Sequence, residues 1–206
     1  MMMKKAMILI ATAIVCLSAI AQVQFGFKVG ADATNYWGKK GFPEPVSYPW
    51  IVDHGMRLNY QAGLMMEYKF SPKFAIAPEV VFAAQGGKYR LDNPTLPSNL
   101  REVSYNTNYI NVPLMLKYYV SPAFSIDLGP QAGFNVYSRM KLNDETSNSK
   151  HRTKSVDFGI GLGATYNLTE NTFVQTRYTM GLTKVFKDDY MNAKNGSIQL
   201  AFGMKF

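Results

Sequence analysis

Charged side chains interrupt long and otherwise apolar stretches of this sequence, always at positions that alternate with apolar residues. An unpaired charge in an enclosed space carries a severe desolvation penalty, so such residues must pair with one another. They could form a packed ionic network, or a path for a proton or a small ion. The set predicted for the network is Lys28, Glu67, Glu79, Lys117, Asp127, Asp157 and Arg177, with Asp32, Lys69 and Lys205 on the same faces.

Residues for other kinds of chemistry are sparse. The two histidines, His54 and His151, fall in predicted loops, and no G-x-S-x-G motif occurs. Ser47, Ser104 and Ser138 would lie near one rim of the fold, but no base is placed beside any of them. There is also no His/Cys cluster at metal-ligand spacing. We therefore expect no enzymatic activity, no cofactor and no metal.

The stretch from Tyr109 to Phe134 shows what must position the charged residues. Apolar side chains occupy the even positions of 110–120, and this period of two predicts a β-strand. Ser121-Pro122-Ala123 predicts a tight turn, after which the alternation resumes on the same parity. Globular strands average about 5–6 residues, whereas a tilted membrane-spanning strand needs about 9–11. The stretch therefore predicts a transmembrane β-hairpin.

The same hairpin unit recurs along the chain, with short turns at 71–73, 121–123 and 169–171. Long polar segments lie between the hairpins and are predicted as loops, at 38–56, 91–107, 139–154 and 185–195. The fold class is therefore all-β, an eight-stranded antiparallel up-and-down transmembrane β-barrel with short periplasmic turns and long extracellular loops. The predicted strands are 25–37, 57–70, 74–85, 109–120, 124–136, 156–168, 174–182 and 198–206.

Two features complicate this prediction. Pro78, Pro113 and Pro130 lie inside predicted strands and each removes a ladder donor, so we expect bulges or bends there. A soluble eight-stranded barrel would have similar strands, but it would place apolar residues inside and polar residues outside. Here the mixed face is rich in glycine and isolated opposite charges, which suits a narrow lumen filled by side chains.

Residues 1–21 have the pattern of a cleaved signal peptide. Lys4 and Lys5 precede an apolar run, and Ala19-Ile20-Ala21 matches a cleavage site. We therefore expect export through the secretory pathway, leaving residues 22–206 as the barrel domain without a cysteine, because Cys16 is the only one. The net charge of +8 is scattered rather than clustered, which argues against a nucleic-acid partner.

A set of short stretches follows the order of the predicted strands: Glu79-Val80-Val81-Phe82, Gln85-Gly86-Gly87-Lys88, Tyr109-Ile110-Asn111-Val112-Pro113-Leu114, Lys117-Tyr118, Gly129-Pro130, Asp157-Phe158-Gly159, Arg177-Tyr178 and Gly181-Leu182. Together they resemble the PorT-like outer-membrane β-barrel family of Bacteroidetes. The resemblance covers nearly the whole mature chain and implies the fold and the bacterial outer membrane more strongly than an activity. The founding member of that family is associated with protein secretion across the outer membrane.

Other residues indicate partners at the membrane. The terminal strand with Phe202, Met204 and Phe206 resembles the signal read by the barrel-assembly machinery. Lys150, Arg152 and Lys154 in a long loop could contact lipopolysaccharide phosphates. Aromatic residues near both ends of the strands predict two girdles at the lipid interfaces. They are Trp37, Trp50, Tyr36, Tyr89, Tyr105 and Tyr137 on the loop side and Tyr68, Phe70, Phe74, Tyr118, Phe124 and Tyr166 at the turns.

The sequence favours an outer-membrane barrel with a structural or interaction role, a filled lumen and loops that face a protein partner. Two alternatives remain open at this point. One is a narrow channel or a barrel that transports a small ligand. The other is an accessory component of a protein secretion system.

Overall fold

The computed structural model describes residues 23–37, 51–91, 102–142, 145–148, 153–185, 187 and 193–206. The predicted signal peptide lies outside these residues. No helix in the described part of the chain is long and apolar enough to cross a membrane. The strands are β1 (Val23–Trp37), β2 (Ile51–Gly55), β3 (Arg57–Lys69), β4 (Phe74–Leu91), β5 (Glu102–Tyr119), β6 (Phe124–Leu142), β7 (Glu145–Asn148), β8 (Val156–Asn167), β9 (Thr172–Gly181) and β10 (Lys194–Lys205).

The described strands form a closed antiparallel barrel. β2 and β3 both pair with β4 and are separated only by Met56, so together they form one strand of the wall. β7 pairs with β6 outside the main path of the sheet. The remaining neighbours are consecutive in the chain, and β1 pairs with β10 to close the wall. The prediction of an eight-stranded up-and-down barrel is confirmed.

The strands of the wall are strongly staggered. Following paired residues once around the barrel returns to β1 ten residues beyond the start. A closed barrel with a large stagger needs tilted strands, at roughly 35–45° to its axis. The path runs through Val23, Tyr68, Ile76, Leu116, Leu128, Leu162, Tyr178, Ile198 and Ala33.

The two faces of the wall match the alternation in the sequence. Large apolar side chains such as Leu64, Leu128 and Leu200 are exposed on the outside. Charged side chains such as Lys28 and Asp127 are buried inside. This distribution is the reverse of a soluble barrel and suits an outer surface in contact with lipid.

The loop boundaries predicted on one side of the barrel are wrong. β4 extends to Leu91, β5 begins at Glu102 and β6 extends to Leu142, so each continues into a predicted loop. β2 and β7 also lie within predicted loops, 38–56 and 139–154. The apolar alternation stops where the strands leave lipid, but the backbone pairing between them continues beyond that point.

The three prolines lie side by side across β4, β5 and β6. Pro78 pairs with Leu114, the residue after Pro113, and Pro113 pairs with Gln131, the residue after Pro130. Each proline lacks pairing with the preceding strand of the wall, as predicted. The register between the two strands is nevertheless the same before and after each interruption. No residue is inserted, so these positions are not bulges.

A bulge occurs instead higher in β6. Asn108 pairs with Tyr137 and Tyr109 with Asn135, which leaves Val136 as the extra residue. The bulge changes the parity of β6, so Ser138 rather than Tyr137 is buried.

Candidate functional site

The centre of the lumen holds an ionic layer around Glu79 on β4. The Lys28 ammonium on β1 donates to Glu79 Oε2 at 2.6 Å. The Arg177 guanidinium on β9 donates to both carboxylate oxygens, from Nη1 to Oε2 at 2.9 Å and from Nη2 to Oε1 at 2.8 Å. This two-point geometry is the strongest form of an arginine–carboxylate pair.

Asp127 on β6 completes this central layer. Its Oδ2 lies 3.6 Å from Arg177 Nη2, and its Oδ1 accepts from the Thr165 hydroxyl at 3.0 Å. Gln175 connects Lys28 to Asp127, because its Oε1 accepts from Lys28 at 2.8 Å while its Nε2 donates to Asp127 at 3.2 Å. The Glu79 layer, meaning Lys28, Glu79, Asp127 and Arg177, therefore contains two cations and two anions.

The Glu79 layer is closed to solvent. Lys28 is 1% exposed and Asp127 is 0% exposed, and Glu79 and Arg177 are nearly as buried, at 3% and 2%. The four side chains enter from β1, β4, β6 and β9, which lie on different sides of the barrel. The layer therefore extends across the lumen with its charges almost fully buried.

A second ionic group surrounds Glu67, nearer the short turns. The Lys117 ammonium donates to Glu67 Oε2 at 3.0 Å, and the Tyr119 hydroxyl donates to Oε1. Lys205 Nζ and Lys69 Nζ lie 3.6 and 4.0 Å from the same carboxylate. The Glu67 layer, meaning these residues, thus has three ammonium groups for one carboxylate.

Two further inward acids are not hydrogen-bonded to either layer, although Asp32 lies close enough to Lys28 and Arg177 to interact with them electrostatically. Asp157 accepts from the Thr183 hydroxyl and from Asn195 Nδ2, the latter at 2.6 Å, so both of these partners are neutral. Asp32 is fully buried, and neither of its carboxylate oxygens has a hydrogen-bond partner among the described residues. The structure therefore brings together six of the seven predicted network residues, in two separate layers, and leaves out Asp157.

The sequence reasoning did not include the neutral members of the network. Thr165, Gln175 and Tyr119 each complete a hydrogen bond to a network acid. All three stand at inward positions of their strands, and Gln175 and Tyr119 lie two residues from the predicted network residues Arg177 and Lys117. The alternation along each strand shows that these side chains point into the lumen. It does not show which of the many inward polar residues contact a network acid, and only the packing decides that.

Among the described residues, Ser138 at the loop-side rim is hydrogen-bonded to neutral side chains. The Asn135 amide donates to Ser138 Oγ at 2.8 Å and to Thr153 Oγ1 at 3.0 Å, so the group consists of neutral side chains. Nothing in it could accept a proton from the serine during nucleophilic attack. His151 and Ser47 lie outside the described residues. Within the described part of the chain, no three His, Cys, Asp or Glu side chains could hold a metal together.

Aromatic residues mark both ends of the barrel, as the composition predicts. At the short turns, the rings of Phe70 and Phe74 are stacked at 6.2 Å, and Phe74 contacts Tyr118 at 5.2 Å. On the loop side, Trp37 is exposed on the outer surface, but Tyr36 is buried and does not belong to a girdle. Trp50 and the side chains of Tyr89 and Tyr105 lie outside the described part of the chain.

Cations accompany two aromatic rings at the loop-side rim. The Arg139 guanidinium lies 4.6 Å from the Tyr137 ring, and the Lys194 ammonium lies 4.9 Å from the Trp37 ring. Of the predicted phosphate-contacting loop, Lys150 and Arg152 lie outside the described residues. The backbone N–H of Lys154 donates to Val185 at 2.8 Å, which connects this loop to the segment after β9.

The terminal strand forms part of the seam that closes the barrel. The predicted assembly residues Phe202, Met204 and Phe206 are exposed on the outer face. Phe206 and Phe25 exchange two backbone hydrogen bonds, at 2.8 and 3.3 Å.

Comparisons with known proteins agree with this geometry. The family model described as outer membrane protein beta-barrel domain matches residues 18–187. The crystal structure of Neisserial surface protein A is 15% identical with a TM-score of 0.56, covering 88% of this chain and 97% of that one. This likeness shows a shared fold.

Two further solved structures are similar at lower scores. Ail of Yersinia pestis is 14% identical with a TM-score of 0.48, covering 90% of this chain and 99% of that one. OprG of Pseudomonas aeruginosa is 15% identical with a TM-score of 0.43, covering 90% and 96%. No curated protein matches this chain.

Proposed function

The chain belongs to the family of outer membrane protein beta-barrel domains, and from that premise we propose a non-enzymatic barrel whose loop side binds a protein partner. The protein is an outer-membrane β-barrel protein of a bacterium. Its export through the secretory pathway, with removal of residues 1–21, is part of the proposal. The observation that carries the proposal is a sheet that projects beyond the barrel on the loop side.

The projecting sheet consists of the upper parts of β4, β5 and β6. These strands have 18, 18 and 19 residues, whereas β8, β9 and β10 have 12, 10 and 12. Outward positions are apolar up to Phe82 on β4 and from Ile110 on β5, and beyond Ile110 on the loop side the outward residues of β5 include Asn108 and Ser104. With about 3.3 Å per residue, the excess extends on the order of 20 Å beyond the lipid.

Within the described part of the chain, the outer edge of this sheet is β7, which pairs with β6 and with no other described strand. Unpaired N–H and C=O groups along such an edge can add a strand from another protein. Arg139 and Lys141, exposed beside this edge, keep the projecting surface polar. The proposed partner therefore contributes an extended segment that pairs with β7.

Site-specific photocrosslinking in intact cells tests this surface. A photoreactive residue at Thr146 or Lys141 is expected to trap a discrete protein adduct, because both positions belong to the projecting sheet. Glu170, exposed in a short turn at the opposite end, is the matched control. The proposal fails if neither sheet position gives an adduct, or if Glu170 gives the same one.

A filled lumen supports an interaction role over transport. The balanced and solvent-inaccessible Glu79 layer offers no path for an ion of ordinary hydrated size. Purified barrel in planar bilayers is therefore expected to show no steady single-channel currents. Steady currents that disappear on altering Lys117 or Glu79 would establish the channel instead.

Lipid contacts form a further part of the proposal. Arg139 on Tyr137 and Lys194 on Trp37 place cations at the loop-side rim, where they support contact with lipopolysaccharide phosphates. The loop residues Lys150, Arg152 and Lys154 would extend the same cationic surface. During insertion, the exposed Phe202, Met204 and Phe206 would be read by the barrel-assembly machinery before β1 and β10 pair.

A role beside a secretion apparatus is the second candidate, favoured by the resemblance to PorT-like proteins of Bacteroidetes. Several residues of the stretches that carry this resemblance have structural roles in this protein. A Cβ at Gly87 would collide with the Tyr36 ring, and Asp157 binds Thr183 and Asn195. Deletion of the gene would trap secreted proteins in the periplasm if this candidate is right, and would leave secretion unchanged if it is wrong.

A further inference from the structure

The chain that leaves β9 at the loop-side rim is held against its neighbours over residues 183–185, which we term the latch. The Val185 carbonyl accepts from the Lys154 N–H at 2.8 Å, in the segment that leads into β8. The Val185 N–H donates to the Ala193 carbonyl at 2.8 Å, just before β10. The latch therefore lies between the beginnings of two strands that do not follow each other in the chain.

The latch covers inward side chains at this end of the lumen. Val185 is apolar and stands at the rim, yet it is only 1% exposed, so its side chain faces the interior. Thr153, the residue before Lys154, is equally buried. Its hydroxyl accepts from the Asn135 amide at 3.0 Å and lies 3.1 Å from Ser138 Oγ. Among the described residues, the latch and this neutral group together close the loop-side end of the lumen.

A single carboxylate makes the side-chain contact that holds the latch. Asp157 accepts from the Thr183 hydroxyl with one oxygen and from Asn195 Nδ2 with the other, the latter at 2.6 Å. The Thr183 hydroxyl oxygen accepts in turn from the Phe158 N–H at 3.0 Å. Hydrogen bonds to an ionised acceptor are stronger than those between neutral groups. Asp157 therefore ties β8, the latch and β10 together at one point.

The two partners of Asp157 are not equally dependent on it. The Asn195 carbonyl also accepts from Trp37 Nε1 at 3.0 Å, and its backbone packs so closely on β9 that a Cβ at Gly181 would come within 2.8 Å of the Asn195 oxygen. The side chain of Thr183 has no such second anchor outside β8 among the described residues. Loss of the carboxylate therefore loosens the latch much more than it loosens β10.

We infer that residues 183–185 close the loop-side end of the lumen as a latch, and that Asp157 is the positioning residue that keeps it shut. When the latch moves away, β8, β9 and β10 stay paired in the wall. Water then reaches the neutral group around Asn135, while the Glu79 layer remains closed. The latch is independent of the partner proposed for the projecting sheet, because it requires no contact with β7.

Cysteine labelling measures whether the latch is open. In a Cys16→Ser background the chain has no other cysteine, and Val185→Cys then places a small apolar thiol in the latch without removing a backbone contact. In the folded protein in detergent, a water-soluble maleimide should label this thiol far more slowly than the exposed Lys141→Cys. Asp157→Asn is expected to raise the rate about tenfold, because an amide cannot accept from both donors.

A second variant shows whether Asp157 acts through the latch. Thr183→Val removes the hydroxyl but keeps the size of the side chain, so it should raise the labelling rate of Val185→Cys as Asp157→Asn does. Combined, the two changes should gain nothing more, since they break the same contact. Glu170→Gln, which removes an exposed carboxylate at the opposite end, is the matched control and should leave the rate unchanged. An unchanged rate in Asp157→Asn, or additive effects of the two changes, would overturn the inference.

A thiol at the other end of the lumen distinguishes opening of the latch from loosening of the whole barrel. Ser125→Cys occupies a position that is 1% exposed, and its slow labelling should not change in Asp157→Asn. Equal acceleration at Ser125→Cys and Val185→Cys would overturn the inference, and so would labelling of Val185→Cys as fast as Lys141→Cys in the otherwise unchanged protein. The heat-dependent gel shift checks folding of each variant. If Asp157→Asn does not fold, Thr183→Val decides the outcome, since it removes no charge.

Discussion

The Glu79 and Glu67 layers are built from the same residue types but differ in balance. Around Glu79 and Asp127, two cations meet two anions, and a two-point arginine pair and Gln175 satisfy the carboxylates. Around Glu67, three ammonium groups share one carboxylate, and only Lys117 hydrogen-bonds with it. The balanced layer is closed to solvent, whereas the unbalanced layer adjoins a cavity. Charge balance thus distinguishes a layer that can be fully buried from one that adjoins solvent.

The largest expected effect comes from Glu79→Gln. It leaves Lys28 and Arg177 buried without their main counter-charge, a change that costs about 3–5 kcal/mol of unfolding free energy. Urea unfolding in lipid vesicles, followed by tryptophan fluorescence, measures the loss. Glu170→Gln, which removes an exposed carboxylate, is the control and is expected to leave stability unchanged. Equal effects of the two changes would contradict the structural role of the Glu79 layer.

A smaller loss is expected from Arg177→Lys, which keeps the charge of the balanced layer. Lysine cannot make the two parallel hydrogen bonds to Glu79 and also lie close to Asp127. The unfolding free energy should fall by about 1–3 kcal/mol in the same urea measurement. A stability equal to the unmodified protein would mean that net charge, rather than two-point geometry, holds this layer together.

Glu67→Gln should cost less than Glu79→Gln, although both remove one buried carboxylate. Water in the adjoining cavity can hydrate the ammonium groups that lose their counter-charge, so a loss of about 1–2 kcal/mol is expected. Urea unfolding of both variants in lipid vesicles measures the difference. A loss as large as that of Glu79→Gln would remove the distinction between the layers.

The smallest expected effect is the response of the two layers to salt. Raising the salt from about 0.1 M to about 1 M shortens the screening length from about 10 Å to about 3 Å, mainly where charges contact solvent. The stability loss caused by Glu67→Gln should shrink at the higher salt, because the Lys69 side chain in this layer is 41% exposed. The loss caused by Glu79→Gln should change little, since its partners are buried. Urea unfolding of both variants at the two salt concentrations measures both quantities, and an equal salt dependence would argue against the distinction between the layers.

Alternation along the chain was enough to predict most of the wall. A period of two assigns each residue to the lipid face or the lumen face, and Lys28, Glu79, Asp127 and Arg177 all lie inside as expected. The prediction of strand ends was less successful on the loop side, because β4, β5 and β6 continue past the lipid. Beyond that level no apolar face is required, so pairing leaves little trace in the sequence.

Which inward side chains contact each other depends on their positions along the barrel axis as well as on the face of the strand they occupy. Asp157 has inward parity like the network acids, but Arg177 pairs across β8 with Gly163, six residues further along that strand. At about 3.3 Å per residue, this separation is roughly 20 Å. Asp157 therefore binds neutral groups near the loop-side rim, and a prediction from parity alone could not exclude it from the network.

By itself, the sequence determined the number of wall strands, their two faces and the inward position of the charges, because each follows from local alternation and turn chemistry. Only the tertiary structure decided which charges meet. The stagger of the closed wall brings together residues as distant as Glu79 and Arg177, and it sets three lysines against one acid beside the cavity. Stagger depends on pairing between strands, and that pairing is a property of the closed barrel rather than of any one stretch of chain.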